Sequence, residues 1–269
     1  MNAMSGYGAA AAAVVRRDAA LYFSYRMAFF TQCFSLVASV TLFYYLSRLV
    51  TIGSFGSPDR YFQYVLIGLV IMQTVMGTLG NLPNAVRQEL MAGTFERLIL
   101  SPFGAAASIL SMVVFPFVRA IVFGLLMIVF AAVAFGLTLE WPSALLAFPA
   151  ATLAAIAFTP FALFFAAAVV AFKQAPGVGL VMTAIALTSG MYFPTELLPS
   201  WIQWTSDVQP FTPAVDLLRH LTVGSPLSAS AWVEVLKLLA FAIVLLPVAL
   251  YTIAAALRFG QRRGTVTEF

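Results

Sequence analysis

Apolar and polar positions alternate in long blocks along this chain, with extended apolar runs separated by short polar ones. Windows of about 20 apolar residues, long enough to cross a bilayer as a helix, fall at residues 29–49, 62–82, 109–139, 144–172, 177–193 and 235–257. The third and fourth exceed what a bilayer requires, so they are expected to tilt, kink or protrude, with Pro116, Pro149 and Pro160 as kink sites. The fifth is short. It opens after Pro176 and closes on Gly190 and Pro194, residues that stop a helix. The pattern predicts an all-α polytopic membrane protein with six transmembrane helices, forming a single domain over residues 1–269.

Charge sets the direction of the spans. Arg16, Arg17, Arg26, Arg87, Arg97, Lys173, Arg258, Arg262 and Arg263 flank one side, and only Arg48, Arg60, Arg219 and Lys237 flank the other. Basic residues are retained in the cytoplasm, so both termini are expected to face inward, with Gln88 shielded inside and Ser206 open to the outer solution. All four tryptophans (Trp141, Trp201, Trp204 and Trp232) fall on the outer side, where amphipathic rings favour the headgroup boundary.

Composition narrows the chemistry. The 269 residues are 62% hydrophobic with mean hydropathy +0.98, and their 9% of charged residues falls far below the level of a soluble domain. The net charge of +4 is spread without stripe or cluster, which argues against a nucleic-acid partner. Cys33 and His220 are each the sole residue of their type, so disulfides within the chain and paired-His metal sites are excluded. The apolar run at residues 9–15 precedes Arg16 and Arg17 instead of following them, the wrong order for a cleaved signal peptide.

Three segments are neither span nor simple loop. Within residues 1–28, Arg16, Arg17 and Asp18 stand beside Leu21, Tyr22, Phe23 and Tyr25. This reads as a helix in the inner headgroup layer or as a plain positive flank to the first span. Residues 84–102 mix Leu90, Met91, Phe95, Leu98 and Ile99 with the acceptors Glu89 and Glu96 and the donors Arg87 and Arg97. Such a cytoplasmic segment suits a short helix docked on a partner, where a solvated loop would not need so many large apolar residues. Residues 194–222 are too apolar for an aqueous loop and too broken by Pro194, Pro199 and Pro210 for a span. Short helices dipping into the outer leaflet fit them better than a plain extracellular loop.

At these residues the chain resembles a known family. Gly93-Thr94-Phe95-Glu96 with residues 98–102, then Pro194, Leu198-Pro199, Trp201-Ile202-Gln203, Pro210, Thr212 and Arg219, resemble the permease subunits of ABC type-2 exporters. The resemblance implies a subunit of the bacterial cytoplasmic membrane that pairs with a second permease, a copy or a paralogue, and with two cytoplasmic ATP-binding subunits. It maps the coupling helix onto Arg87, Glu89, Gly93, Thr94, Phe95, Glu96 and Arg97. Pro194, Pro199, Trp201, Pro210 and Arg219 map onto re-entrant helices capping the outer end of the pathway, and residues 1–28 onto an interfacial helix. ATP and Mg would be bound by the partner subunits, with no cofactor on this chain.

What is missing agrees with that division of labour. A Walker A loop needs Gly-x-x-x-x-Gly-Lys-Ser/Thr, and neither Lys173 nor Lys237 sits in one, so ATP must be hydrolysed elsewhere. A proton- or sodium-coupled exporter working without an ATPase is the second reading, but none of the ten acids lies mid-span. An intramembrane hydrolase is the third, and Ser189-Gly190 lacks the glycine two residues before the serine that a nucleophile elbow requires. Arg119 is the one charge inside an expected span. It either snorkels to the inner boundary or serves on the substrate path or in a helix contact. The function expected is outward transport of an amphipathic or lipid-like substrate by alternating access.

Overall fold

The structure, a computed structural model, describes residues 3–49, 57–95, 105–173, 177–227 and 229–263, and among them every regular element is helical. Helix α1 (Ala3–Ser24) breaks at Tyr25 and turns into α2 (Arg26–Leu49). After α3 (Pro58–Leu79) come α4 (Asn81–Met91) and α5 (Ala105–Phe135). A 3-10 turn at Ser143–Leu146 leads into α6 (Ala147–Phe172) and the short α7 (Val178–Thr188). A second 3-10 turn at Thr195–Leu197, α8 (Ser200–Asp207), α9 (Phe211–Val223) and α10 (Ala231–Arg263) complete the chain.

Five stretches are long and apolar enough to cross a membrane: Arg26–Leu49, Pro58–Met91, Ser108–Phe135, Ser143–Phe172 and Ala231–Gly260. The expected fifth span is the exception. Its helix α7 has 11 residues, about 16 Å at 1.5 Å per residue, roughly half of the hydrocarbon core. It ends where Ser189 and Gly190 leave the helix, and the chain unwinds through residues 190–194. The second span also differs from expectation. Only Gly80, itself in right-handed helical geometry, separates α3 from α4, so the segment expected as a separate loop helix begins as a continuation of the span. The third stops at Phe135 rather than 139, because Gly136 takes a left-handed conformation.

Local signals explain the well-made ends. Ser57 caps α3 by accepting from the Arg60 amide, Pro58 fills the first helical position, and Asp59 meets the positive end of the helix dipole. The core forms around α6, whose buried Ala150, Ala154, Ala157, Ala162 and Ala166 let neighbouring helices approach closely. Its longest interface is with α10, and α4, α3 and α9 cover the rest. A second cluster joins Val40 of α2 to Phe62, Leu66 and Val70 of α3 and to Met127 and Ala131 of α5. Beside it Tyr44 stacks on Phe135 at 4.2 Å.

Every ion pair among the described residues joins groups expected on the same side. Arg17 pairs with Asp18 and Glu89 inside; Arg48 with Asp59, Arg219 with Asp216, and Lys237 with Glu234 outside. The four tryptophans are exposed, as a headgroup belt requires. Ser206 is the misplaced residue. It is buried and donates to the Thr188 carbonyl at 2.6 Å, so the solvent-facing position at this level is Asp207.

Candidate functional site

The segment expected to cap the outer end is built on a buried cation. Helix α9 packs one face against α3, α6 and α10 and carries Arg219 inward until only 2% of it is exposed. A guanidinium taken that far from water must find partners for its donors, and this one finds backbone carbonyls. Arg219 Nε and Nη2 donate to the Tyr64 carbonyl of α3 at 3.0 and 2.9 Å. Nη1 donates to the Gly190 carbonyl at 3.0 Å and Nη2 to that of Met191 at 2.9 Å. The guanidinium carbon lies 3.3 Å from the centroid of the Tyr64 ring, a cation–π contact, and the Tyr64 hydroxyl donates to the same Gly190 carbonyl at 2.7 Å. Asp216 stands 3.8 Å from Nη1 on the half-buried side.

One side chain therefore ties together α3, the unwound turn after α7, and α9. The turn reaches α3 because Gly68 has no side chain: a Cβ there would lie 2.7 Å from Met191 Cγ and 2.8 Å from the Met191 carbonyl oxygen. Around this knot the three prolines act as expected of helix punctuation. Pro194 and Pro199 are extended and open the 3-10 turn and α8; Pro210 immediately precedes α9. Buried Gln209 donates to the Thr188 and Thr212 hydroxyls, fastening the end of α7 to the cap. Trp201 is 74% exposed and faces out of this knot, not into it.

The segment expected at the inner end is built differently. Helix α4 buries Leu82, Pro83, Val86 and Leu90. It then stops on Gly93 at φ +67°, a conformation that strains any residue with a Cβ. The Gly93 amide donates to the Leu90 carbonyl at 3.1 Å and the Thr94 amide to that of Glu89 at 3.1 Å, the paired bonds of a Schellman cap. The Thr94 hydroxyl also donates to the Glu89 carboxylate, and Phe95 returns into the core with 1% exposed. Leu90 and Phe95, expected to dock on a partner, are thus used inside this chain. Met91 and Arg87 remain exposed, and Arg87 makes no ion pair with any described residue. Glu96 and Arg97 lie outside the described residues.

Glu89 has a partner that the sequence did not single out: Arg17 of α1, whose Nη1 lies 3.1 Å from Glu89 Oε1 while its Nε donates to Asp18 at 3.0 Å. Partial burial works against the Arg17 charge, but its bonds to Asp18 and Glu89 outweigh that and hold its pKa above the ordinary arginine value. Arg119 lies 4.7 Å from the centroid of the Tyr22 ring. Tyr22 also meets Phe115 and donates to Gln32, which places Arg119 level with the α1–α2 turn in a contact between helices. His220 is exposed, with Nδ1 3.0 Å from the Ser225 carbonyl oxygen. Among the described residues no group of three His, Cys, Asp or Glu is arranged to hold a metal.

A bundle of helices long and apolar enough to cross a membrane, with a capped helix stop at one end and a proline-opened cap at the other, describes a multi-pass membrane protein. The family of ABC-2 type transporters matches residues 10–223, from within α1 to the last residue of α9, and the chain belongs to that family. Its members are membrane components that lack an ATPase site of their own and generally work with ATP-binding-cassette ATPases. No curated protein matches the chain.

Proposed function

We propose that this chain is the membrane-spanning subunit of an ABC exporter. In this reading it moves an amphipathic or lipid-like substrate outward by alternating access, pairs with a second permease, and takes its energy from ATP and Mg held on separate ATPase subunits. The observation that carries the reading is the near-continuous path from Pro58 to Met91. Its upper part carries the Tyr64 carbonyl held by Arg219, and its lower end is the Gly93-Thr94-Phe95 stop. A partner that binds differently to two positions of the lower end biases the cap through one rigid element, the physical condition for coupling.

Met91, Arg87 and the chain that follows Phe95 form the docking face in this account. Helix α7 with the unwound 190–194 turn supplies the sixth crossing, its missing length made up by the cap. The test is co-expression with a candidate ATP-binding-cassette ATPase subunit. Met91→Asp places a charge at the joint and Glu96→Lys reverses one, and loss of a buried partner there costs about 2–5 kcal/mol. Both variants are expected in the membrane at wild-type level, with ATPase co-purification reduced at least about tenfold and no hydrolysis stimulated by a panel of drugs, lipids and glycolipids. Transport at the wild-type rate in both variants would remove this segment as the joint.

A further inference from the structure

The exposed side of α1 carries charge that the transport reading does not use. Val15, Asp18, Ala19 and Tyr22 turn toward the bundle, where α1 packs on α5, and Arg16, Arg17, Ala20, Leu21 and Phe23 turn outward. The arginines thus lie one to two helical turns before Leu21, Phe23 and Tyr25 on the same open face, and Arg26 follows at once. Apolar side chains for the acyl boundary beside guanidiniums for the headgroups are what an interfacial helix presents to a lipid surface. The acids within reach do not neutralise the face. Asp18 and Glu89 both belong to Arg17, whose Nη2 makes no bond to a described residue, and Arg16 and Arg26 form no ion pair with one.

We propose that the Arg16–Arg17 face of α1 binds the headgroup of an anionic phospholipid, and that this contact holds Arg17 against Glu89 and so steadies the end of α4. The chemistry is a phosphate accepting from the Arg17 fork while the same guanidinium keeps its bond to the Glu89 carboxylate. Lipid charge then reaches the coupling segment through one side chain, because Glu89 also receives the Thr94 hydroxyl that closes the α4 cap. The inference rests on the cytoplasmic placement of α1 in the transport reading, and it needs no ATPase for its test.

Purified full-length chain in detergent is titrated with phosphatidylglycerol and, separately, phosphatidylcholine, and lipid retention is read by native mass spectrometry. Wild type is expected to retain phosphatidylglycerol preferentially, and that preference is expected to fall about fivefold for each arginine removed in Arg16→Ala and Arg17→Ala. Arg60→Ala, an equal loss of charge at the opposite end, should leave it unchanged. Hydrogen exchange supplies the second readout: phosphatidylglycerol should increase protection of residues 88–95 in wild type but not in Arg17→Ala or Glu89→Gln, while Glu89→Gln still retains the lipid. An unchanged preference in the double variant Arg16→Ala/Arg17→Ala, an equal loss in Arg60→Ala, or a gain in protection that survives Arg17→Ala would each overturn the proposal. Failure of the ATPase to co-purify would count against the transport reading alone.

Discussion

The two ends of the α3–α4 path are held by opposite means. At the outer end a fully buried guanidinium binds three backbone carbonyls from two other elements and faces an aromatic ring. At the inner end a helix stops on a glycine, and a half-exposed arginine from α1 meets a carboxylate. A buried cation among carbonyls is costly to disturb, because the groups it leaves behind have no water to turn to. An exposed ion pair is weak, screened by salt and easily exchanged. The cap is therefore the firmly held end of the path, and the Gly93 end is the more easily altered one, a contrast that suits the proposed coupling role.

The largest effect is expected at the cap. Arg219→Met should destabilise the protein by about 3–5 kcal/mol, since the Gly190 and Met191 carbonyls and Asp216 lose their shared partner in a buried site. Thermal unfolding in detergent should fall accordingly, and Arg219→Lys should restore only part of the loss, a point charge being unable to span three carbonyls. Next comes Gly68→Leu. Even its Cβ meets Met191, and overpacking of this kind costs about 1–3 kcal/mol, which limited proteolysis should register as earlier cleavage within residues 190–200.

At the inner end the effects shrink. Gly93→Val forces a left-handed conformation on a β-branched residue, at a cost of about 1–2 kcal/mol, and hydrogen exchange should show faster opening of residues 88–95 with the cap unaffected. Arg17→Ala should change stability least, by about 0.2–1 kcal/mol, and the difference from wild type should vanish at high salt. A large, salt-independent loss in Arg17→Ala would reverse the contrast between the two ends.

Five of the six expected spans were legible because apolar length is a direct consequence of bilayer thickness, and the prolines after α7 because they cannot continue a helix. Arg219 was legible as a residue but not as a knot. Its partners are carbonyls of Tyr64, Gly190 and Met191, and a backbone carbonyl leaves no mark in the sequence. Leu90 and Phe95 looked like docking residues because composition does not distinguish an apolar residue that faces a partner from one that folds back on its own chain. The glycine was the available clue: Gly93 followed by Thr94 marks a helix stop, after which Phe95 is free to turn inward. The Arg17–Glu89 pair spans two distant elements, and nothing in the spacing of either segment pointed to the other.

The claim that the cap moves with the coupling segment is tested most directly by hydrogen exchange on the assembled complex, with and without ATP on a hydrolysis-blocked ATPase. In wild type, ATP is predicted to change exchange both in residues 88–95 and in residues 188–193. In Arg219→Lys the inner change should persist and the outer one should be reduced, because the rod is intact but grips the cap through fewer carbonyls. An outer response equally large in that variant, or none at all in wild type alongside a clear inner one, would contradict the account.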